Sequence, residues 1–388
     1  MEYVDTAVVL AGGKGTRLFP LTKTKPKPLI SVGNYTMLEW NLFTLKEAGI
    51  KNVIIVIKYL GEQIIEYTEK YLKKKFPMMN ISIPSNTDPR DTADALRGVA
   101  DCIPKGCPRF FVTMADIVTN INLKAMADFH KEKNTPVTIS LKSIEQPRAF
   151  GVIVLDINSQ ILLFLEKPTP QEMYLTTLMF KKRNSIHFHA NLVNTGIYLF
   201  EREILDILDS YPSLMDFGKQ VFPFLLERKK SIFGYTPPPR EDYYWMDCGT
   251  PEKLVWANWD VLKRWNWPYL PRGKEREGSW FGENISLGKD IKINPPVAIA
   301  DNVKINDGVI IDSYSVIEDN VSIGPRTIIS GSVICKSVKI GNECKINKSY
   351  VAENVIIGNK VIIEEKSVIA EGKTVADNEF LRSNSILE

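Results

Sequence analysis

The spacing of apolar and polar residues along this chain follows one pattern before residue 265 and a different pattern after it. From Thr6 to about Ala257, short β-rich apolar runs alternate with segments whose apolar residues recur every three or four positions. This alternation is typical of a mostly parallel sheet with helices on its faces. We therefore predict an α/β domain over residues 1–264, a doubly wound, mostly parallel, Rossmann-like fold.

The first strand, helix and strand of this domain are the clearest in the sequence. Thr6–Leu10 is apolar enough for a buried strand, and Val53–Ile57 predicts the next one. Between them, Thr36 and Glu39 have the spacing of a capping box that starts an amphipathic helix. Gly49 is placed to end that helix. The order strand, helix, strand predicts a right-handed βαβ unit.

A later apolar run, Arg109–Met114, predicts another strand and ends beside Asp116. In open α/β sheets, ligands bind beyond the carboxyl ends of the strands. We therefore expect Asp116 and the loop after the first strand to lie at one edge of the sheet.

The spacing of apolar residues changes after a linker at residues 265–282, where Pro268, Pro271 and Gly273 interrupt the pattern. Beyond the linker, small or aliphatic residues recur at six-residue steps, namely Val297, Val303, Val309, Val321, Thr327, Val333, Cys344, Tyr350, Val361 and Ser367. A six-residue period with short turns is typical of a parallel β-helix, whereas the alternation of a β-sandwich would not hold this phase. We predict a left-handed parallel β-helix of hexapeptide repeats over residues 283–388.

Composition narrows the function classes. The 49 Lys and Arg residues exceed the 46 Asp and Glu residues by only three, which argues against a nucleic-acid or membrane surface. No apolar run approaches the roughly 20 residues of a membrane span, and no signal peptide precedes the first strand, so we expect a cytoplasmic protein. The five cysteines are scattered and are expected to be unpaired thiols.

Candidate chemistry begins in the loop after the first strand. Gly12, Gly13 and Gly15 would let backbone N–H groups approach a triphosphate, and Arg17 can make charge-assisted contacts with phosphate oxygens. The segment matches neither the Walker pattern nor G-x-G-x-x-G, so alone it is weak evidence. Its continuation is more specific, because Pro26 and Pro28 bracket Lys27 and are expected to hold its backbone in a rigid, extended form.

The stretch from Leu10 to Leu29 resembles the signature of the sugar-1-phosphate nucleotidyltransferases, which include thymidylyl-, uridylyl- and guanylyltransferases acting on hexose 1-phosphates. Further segments that resemble the family follow in its order, at Thr92–Leu96, Asp116, Phe150–Val152, Phe164–Pro168, Asn194–Tyr198 and Tyr244–Pro251. The sequence departs from the family at Asp91 and Ala115, where many members have glycine.

The resemblance implies a role for each matching residue. Nucleotide-binding residues would be Leu10, Ala11, Gly12, Gly13, Gly15, Thr16, Asn86, Thr92 and Ala93. Sugar-binding residues would be Gly151, Glu166, Asn194, Gly196 and Trp245, the last of them packing beside the site. Arg17, Lys27 and Lys167 would be the catalytic cations, and Asp116 and Asp247 would bind Mg²⁺.

Physical chemistry fits those roles. A sugar phosphate and a nucleoside triphosphate repel each other, so cations are needed to bring them together and to neutralise charge in the transition state. Mg²⁺ suits the task because carboxylates and substrate phosphates are its usual ligands. We therefore expect transfer of a nucleotidyl group from a nucleoside triphosphate to a hexose 1-phosphate, with release of pyrophosphate.

Several alternatives stay open on the sequence alone. A catalytically silent paralogue that binds a nucleotide sugar and regulates a partner enzyme is the rival class. Asn86 suits thymine or uracil, hence dTTP or UTP with glucose 1-phosphate, whereas GTP with mannose 1-phosphate remains an option. The segment 171–189 could be a lid or an assembly contact.

The histidines bear on the second domain. All three, His130, His187 and His189, precede the linker, so the β-helix lacks the general base of an acyltransferase. We expect the β-helix to serve in homo-oligomer assembly or regulation instead.

Overall fold

The computed structural model describes residues 4–85, 88–145, 150–180, 186–187, 191–238 and 242–388. These residues form two compact units that interleave along the chain. The first unit comprises residues 1–13, 41–115 and 121–245, and the second comprises residues 14–40, 116–120 and 246–388. The domain limits predicted from the sequence, 1–264, 265–282 and 283–388, stay a prediction about chain order.

The strands before the repeat region are, in chain order, β1 (Thr6–Ala11), β2 (Ser31–Val32), β3 (Tyr35–Thr36), β4 (Asn52–Ile57), β5 (Asn80–Ser82), β6 (Arg109–Met114), β7 (Ile117–Thr119), β8 (Val137–Ser143), β9 (Gly151–Asp156), β10 (Ile161–Glu166), β11 (Ile186–His187), β12 (Leu192–Glu201), β13 (Ile232–Tyr235) and β14 (Trp245–Asp247). The helices are α1 (Met37–Glu47), α2 (Gly61–Tyr67), α3 (Lys73–Lys75), α4 (Thr92–Arg97), α5 (Leu123–Lys133), α6 (Pro170–Phe180), α7 (Glu203–Ser210), α8 (Phe222–Glu227) and α9 (Pro251–Leu262).

Shorter helical turns connect these elements. The 3₁₀ turns are Thr16–Leu18, Leu21–Lys23, Lys27–Leu29 and Ala100–Cys102, and π-helical turns cover Thr68–Leu72 and Phe217–Val221. The predicted capping box is present, since the Thr36 N–H donates to Glu39 Oε2 at 2.7 Å and the Glu39 N–H donates to Thr36 Oγ1 at 3.2 Å. Gly49 follows α1 with a φ of 84°, a conformation that favours glycine and ends the helix as expected.

The first unit is built on a ten-stranded sheet whose central order is β10-β9-β12-β6-β1-β4-β5. Strands β6, β1, β4 and β5 run parallel, as the βαβ pattern predicts, while β12 runs antiparallel to β6 and β8. The β1 strand is buried along its whole length between β4 and β6, which explains its unbroken apolar sequence. The predicted Rossmann-like α/β fold is confirmed.

The second unit contains the repeat region, whose strands are β15 (Lys274–Arg276), β16 (Ser279–Phe281), β17 (Ser286–Leu287), β18 (Lys292–Ile293), β19 (Ala298–Ile299), β20 (Lys304–Ile305), β21 (Ile310–Ile311), β22 (Val316–Ile317), β23 (Ser322–Ile323), β24 (Ile328–Ser330), β25 (Val333–Ile334), β26 (Lys339–Ile340), β27 (Lys345–Asn347), β28 (Tyr350–Val351), β29 (Ile356–Ile357), β30 (Ile362–Ile363), β31 (Val368–Ile369), β32 (Thr374–Val375), β33 (Phe380–Leu381) and β34 (Ile386–Leu387). They stack into three long sheets, parallel from β16 onwards.

Equivalent positions on neighbouring coils of this stack are 18 residues apart, which is three six-residue steps, or 17 where one step is a residue shorter. Every residue that the six-residue pattern placed inside is buried, from Val297 to Ser367. Corner residues with positive φ, such as Asn302, Gly308 and Asn320, are separated by multiples of six residues and turn the chain from one face of the β-helix to the next. The predicted left-handed β-helix is therefore confirmed.

Candidate active site

The second unit brings together four of the predicted site residues, Arg17, Lys27, Asp116 and Asp247. The first two follow the loop after β1. Gly15 has a φ of 64° and precedes the 3₁₀ turn Thr16–Leu18, in which the Leu18 N–H donates to the Gly15 carbonyl at 2.9 Å. A Cβ at Gly15 would lie 3.3 Å from Thr22 Cγ2 and 3.4 Å from Lys27 Cβ. Glycine is required here both for its conformation and for the close approach of the Lys27 segment.

The extended backbone predicted around Lys27 is wrong, because Lys27 begins the 3₁₀ turn Lys27–Leu29, and only Pro26, which caps this turn, is extended. Pro28 fits within the first turn of such a helix, where its missing N–H costs no hydrogen bond. The Lys27 side chain is only 6% exposed, yet its ammonium has two carboxylate partners. Lys27 Nζ lies 2.5 Å from Asp116 Oδ2 and 3.5 Å from Asp247 Oδ1. The lysine that the two prolines were predicted to aim is therefore held between the two predicted metal ligands.

Arg17 adds a second cation beside Asp247. Its Nη2 lies 3.6 Å from Asp247 Oδ2, and 60% of its side chain is exposed, so it can also reach a ligand. Gly249 makes room for this pair, because a Cβ there would lie 2.9 Å from Arg17 Nη2 and 3.0 Å from Asp247 Oδ2. We call Arg17, Lys27, Asp116 and Asp247 the charge cluster.

The groups of the charge cluster stabilise one another's ionised forms. Burial by itself favours neutral Asp116, but the Lys27 ammonium and its hydrogen bond hold the pKa of that carboxyl below its usual value. Burial also opposes the charge on Lys27, and the carboxylates of Asp116 and Asp247 outweigh it, so the pKa of Lys27 is raised. Lys27 and Asp116 are therefore both charged at neutral pH.

The donor set of the charge cluster fits the Mg²⁺ ion expected from the sequence. The carboxylates of Asp116 and Asp247 both contact the Lys27 ammonium, so they lie near one point in space. Mg²⁺ is commonly bound by one or two carboxylates plus substrate phosphates. Among the described residues, no group of three or more His, Cys, Asp and Glu side chains could hold a metal ion. A metal bound by this pair would need further oxygens from substrate and water.

The other residues predicted at the phosphate loop extend from the edge of the sheet. Leu10 and Ala11 are buried at the end of β1. Gly12 is half-buried, with Lys58 Cβ 3.2 Å from where its own Cβ would be, whereas Gly13 has no atom within 4 Å of that position. Thr16 is exposed. Of the three glycines in this loop, Gly13 alone has open space at its Cβ position.

The segment predicted to hold the base opens helix α4 in the first unit, while Asn86 lies outside the described residues. The N–H of Thr92 donates to the Asp91 carboxylate at 2.9 Å, and the N–H of Ala93 donates to the Met215 carbonyl at 2.7 Å. These two donors have protein acceptors, so a base would have to contact other groups of the segment.

Two predicted sugar-binding residues, Gly151 and Glu166, lie together with the predicted catalytic cation Lys167 in the first unit. Gly151 pairs with Glu166 across β9 and β10, and Lys167 Nζ lies 3.5 Å from Glu166 Oε1. A Cβ at Gly151 would lie 2.8 Å from Glu166 Oε2, and one at Gly218 would lie 2.6 Å from the same oxygen. We call Gly151, Glu166, Lys167 and Gly218 the carboxylate pocket. The space around the Glu166 carboxylate thus exists because Gly151 and Gly218 have no side chains.

Burial raises the pKa of Glu166, and the nearby Asp216 adds to this effect, while Lys167 opposes it. A carboxylate with a raised pKa is poorly solvated, so a ligand that donates hydrogen bonds to it gains more than it would at the surface. Sugar hydroxyl groups are donors of this kind.

Asn194 and Gly196 lie on β12, and Trp245 begins β14, which pairs with β7 in a separate two-stranded sheet. Asn194 Oδ1 accepts the N–H of Gly196 at 3.0 Å, and its amide donates to Tyr198 Oη at 2.9 Å. Gly196 has a φ of 79° and a Cβ there would lie 2.9 Å from Met114 Cγ. Trp245 Nε1 donates to the Thr195 carbonyl at 3.0 Å, and its ring packs on Phe150 with centroids 5.3 Å apart. Trp245 therefore has the packing role that the sequence suggested.

Sequence reasoning missed Gly218, because it lies in no segment that resembles the family. Only the pair Phe217-Gly218 at the start of a helical pattern could have marked it. Of the segment 171–189, the structure describes residues 171–180, which belong to α6, and residues 186–187, which form β11. Residues 181–185 and 188–189 lie outside the described residues, and the choice between lid and assembly contact stays a prediction.

Comparison with known proteins agrees with these observations. The family model described as "Nucleotidyl transferase" matches residues 6–264, and the one described as "EIF2B subunit epsilon LbH domain" matches residues 276–381. Searched along the described residues, no helix is long and apolar enough to cross a membrane.

Three curated relatives carry the name mannose-1-phosphate guanyltransferase. The Saccharomyces cerevisiae protein is 32% identical over 250 residues, which is 64% of this chain and 62% of that protein. The Yarrowia lipolytica protein is 32% identical over 64% of this chain and 61% of its own length. The Kluyveromyces lactis protein is 29% identical over 76% of this chain and 72% of its own length. The chain thus spans a little over three fifths of the first two relatives.

Proposed function

The chain belongs to the nucleotidyl transferase family, and from this premise we propose that it makes a nucleotide-activated sugar. It transfers a nucleotidyl group from a nucleoside triphosphate to a hexose 1-phosphate and releases pyrophosphate. The observation that carries this proposal is the charge cluster, in which a buried lysine lies 2.5 Å and 3.5 Å from two carboxylates, with an exposed arginine beside them. Such a set of charges suits a metal-bound triphosphate.

We propose GTP and mannose 1-phosphate as the substrate pair to test first. Three similar proteins are named mannose-1-phosphate guanyltransferases, which supports this pair. The sequence argument from Asn86 favours thymine or uracil instead, and Asn86 lies outside the described residues. dTTP or UTP with glucose 1-phosphate therefore belongs in the same experiment.

The reaction needs no nucleophile from the protein. A phosphate oxygen of the hexose 1-phosphate attacks the α-phosphorus and forms a new oxygen–phosphorus bond. The bond from the α-phosphorus to the bridging oxygen breaks, and pyrophosphate leaves with the electron pair. Arg17, Lys27 and Lys167 bind and align the two anionic substrates, and Lys27 and Arg17 neutralise charge that develops in the transition state.

Asp116 and Asp247 would hold Mg²⁺, which would supply positive charge beside the phosphate oxygens. In the structure these carboxylates are compensated by Lys27 Nζ. The same ammonium can pair with phosphate oxygens once its carboxylate partners have another cation. Glu166, Asn194 and Gly196 orient the sugar, Gly151 leaves room for it, and Trp245 supports this region through packing.

Gly12, Gly13, Gly15 and Thr16 offer backbone groups to the triphosphate, next to Leu10 and Ala11, and Asn86, Thr92 and Ala93 lie in the segments proposed to hold the base. Homo-oligomer assembly through the β-helix also stays a proposal. Exposed apolar residues on its strands, among them Ile356 and Phe380, support it.

A pyrophosphate-release assay with Mg²⁺ tests the proposed function. GTP, dTTP, UTP and ATP are each paired with mannose, glucose, galactose and N-acetylglucosamine 1-phosphates. We expect turnover for one pair, and a loss of roughly 10²–10³-fold in kcat for Asp116→Ala and for Lys27→Ala. Lys23→Met is the matched control, because Lys23 lies in the same segment and its 2.5 Å ion pair with Glu388 is half exposed.

Wild-type rates in both cluster variants would contradict the proposed mechanism. No turnover of any pair by folded wild-type protein would favour the regulatory paralogue that binds a nucleotide sugar without converting it. Circular dichroism of each variant shows whether it is folded.

A further inference from the structure

Lys25, two residues before Lys27, has its ion-pair partner on the β-helix. Its Nζ donates to Glu353 Oε1, and both side chains are only 26% exposed. Lys25 and Glu353 belong to the same compact unit, although 328 residues separate them in sequence. The segment that carries the proposed catalytic lysine is thus fastened to the repeat domain directly.

A second carboxylate, that of Glu318, is near enough to act on the charge of Lys25. Glu318 is buried, and its Oε2 accepts the Lys336 N–H at 3.0 Å. Burial opposes the charge on Lys25, but Glu353 and Glu318 outweigh it and raise the pKa of Lys25. Removal of the ammonium would leave two neighbouring carboxylates, one of them buried, without this cation. The contact is therefore costly to break, unlike an ion pair at the surface.

Only Pro26 separates Lys25 from Lys27. Its φ of −66° is fixed by the ring, and its carbonyl accepts the Leu29 N–H at 2.9 Å. The Lys27 carbonyl accepts the Ile30 N–H at 3.0 Å, which completes the turn. With so few free dihedral angles between the two lysines, a shift of Lys25 must move Lys27.

We propose that Lys25 is a positioning residue, through which Glu353 and Glu318 of the β-helix hold Lys27 between Asp116 and Asp247. This inference rests on the proposed function, because it gives the β-helix a part in the same reaction. Lys25 need not touch substrate. Its effect is to keep the Lys27 ammonium where charge develops, so its loss lowers kcat more than it changes substrate binding.

The neighbouring pair Lys23–Glu388 offers a matched comparison within the same segment. Its partners are 48% and 53% exposed, and exposed ion pairs contribute little to stability. If any cation from this segment to the β-helix sufficed, loss of Lys23 and loss of Lys25 would have equal effects. If the buried pair positions Lys27, only the loss of Lys25 matters.

Kinetics provide the first readout. In Lys25→Met we expect kcat to fall about five- to tenfold while KM for both substrates stays within about twofold. The kcat of Glu353→Gln should decrease less than that of Lys25→Met, and the kcat of the double variant should be no lower than that of Lys25→Met. Lys25→Arg should have most of the wild-type kcat. Lys23→Met should match the wild type. Equal kcat values for Lys25→Met and Lys23→Met would overturn the inference.

Hydrogen exchange of the full chain provides a readout that needs no activity. The amides of Leu29 and Ile30 close the turn that holds Lys27, so a peptide covering residues 21–30 should exchange several-fold faster in Lys25→Met than in Lys23→Met. Unchanged exchange would overturn the positioning role even in an active enzyme. If the wild type turns over no substrate pair, the proposed function fails, and the exchange result still decides whether Lys25 orders this segment.

Discussion

The charge cluster and the carboxylate pocket differ in how their carboxylates are accommodated. In the charge cluster, opposite charges lie within 2.5–3.6 Å of each other, so every buried charge has a partner before substrate arrives. In the carboxylate pocket, Lys167 Nζ lies 3.5 Å from Glu166 Oε1, the nearby Asp216 opposes the charge on Glu166, and Gly151 and Gly218 leave space for the carboxylate. One region is organised by the charges it contains, and the other by the side chains it lacks.

This difference indicates which property each region must preserve. The charge cluster must keep its balance of charge, since removing one member leaves unequal numbers of positive and negative charges around the buried Lys27 and Asp247. The carboxylate pocket must keep its volume, because an added methyl group at Gly151 or Gly218 would displace the carboxylate. The two regions also belong to different compact units, which suggests that their sensitivities can be measured separately.

Acid should destabilise the first unit through His130, and this is the largest effect we predict for the comparison. His130 is buried there, with Nδ1 2.7 Å from Thr138 Oγ1 and Nε2 3.3 Å from Glu201 Oε1, beside Arg109. Burial lowers the pKa of His130 from 6.5 to about 4, although Glu201 opposes the shift. The unfolded chain therefore takes up a proton as the pH falls below 6.5, whereas the folded chain does so only near 4.

The free energy of unfolding should thus decrease by about 3 kcal/mol between pH 6.5 and 4 through this one residue. Urea unfolding of the wild type and of His130→Gln, each at pH 7 and pH 4.5, measures it. The pH dependence should be smaller in His130→Gln by roughly 2–3 kcal/mol. Equal pH dependence in both proteins would show that His130 is not the acid-sensitive group.

A methyl group at Gly218 should weaken sugar binding, a smaller effect. In Gly218→Ala the new Cβ would lie 2.6 Å from Glu166 Oε2 and 3.1 Å from its Cδ, so the carboxylate must move. Glu166 is a flexible side chain, and the fold should tolerate this shift. We expect KM for the hexose 1-phosphate to rise about tenfold, or about 1.4 kcal/mol, with little change in KM for the triphosphate.

Gly106→Ala is the matched control, because Gly106 belongs to the same unit and a Cβ there would meet no atom within 4 Å. It should leave both KM values unchanged. A Gly218→Ala enzyme with a wild-type KM for the sugar phosphate would show that the Glu166 carboxylate does not orient the sugar.

Local sequence patterns were enough to predict most of the fold. The strand Arg109–Met114 has the bounds that its apolar run predicts, and Thr36 and Glu39 form the expected capping box. The six-residue period determined the buried face of the β-helix, from Val297 to Ser367, because each coil repeats the same contacts. In these elements a residue's environment depends on neighbours at a fixed spacing.

The site was predictable only in part. Lys27, Asp116 and Asp247 were found because each lies in a segment that resembles the family, and the structure brings them together. Gly218 and the contact of Lys25 with Glu353 were not predicted, because both depend on packing between residues far apart in sequence. No local period or motif marks a contact of that kind.

The most direct test of the division between charge cluster and carboxylate pocket is the Mg²⁺ dependence of GTP affinity, measured by calorimetry with Mg²⁺ and with a chelator. Should another triphosphate prove to be the substrate, it replaces GTP. The wild type should bind at least tenfold more weakly without Mg²⁺, Asp116→Asn should lose most of that dependence, and Glu166→Gln should keep it. Full Mg²⁺ dependence in Asp116→Asn, or its loss in Glu166→Gln, would contradict the assignment of metal and triphosphate to the charge cluster.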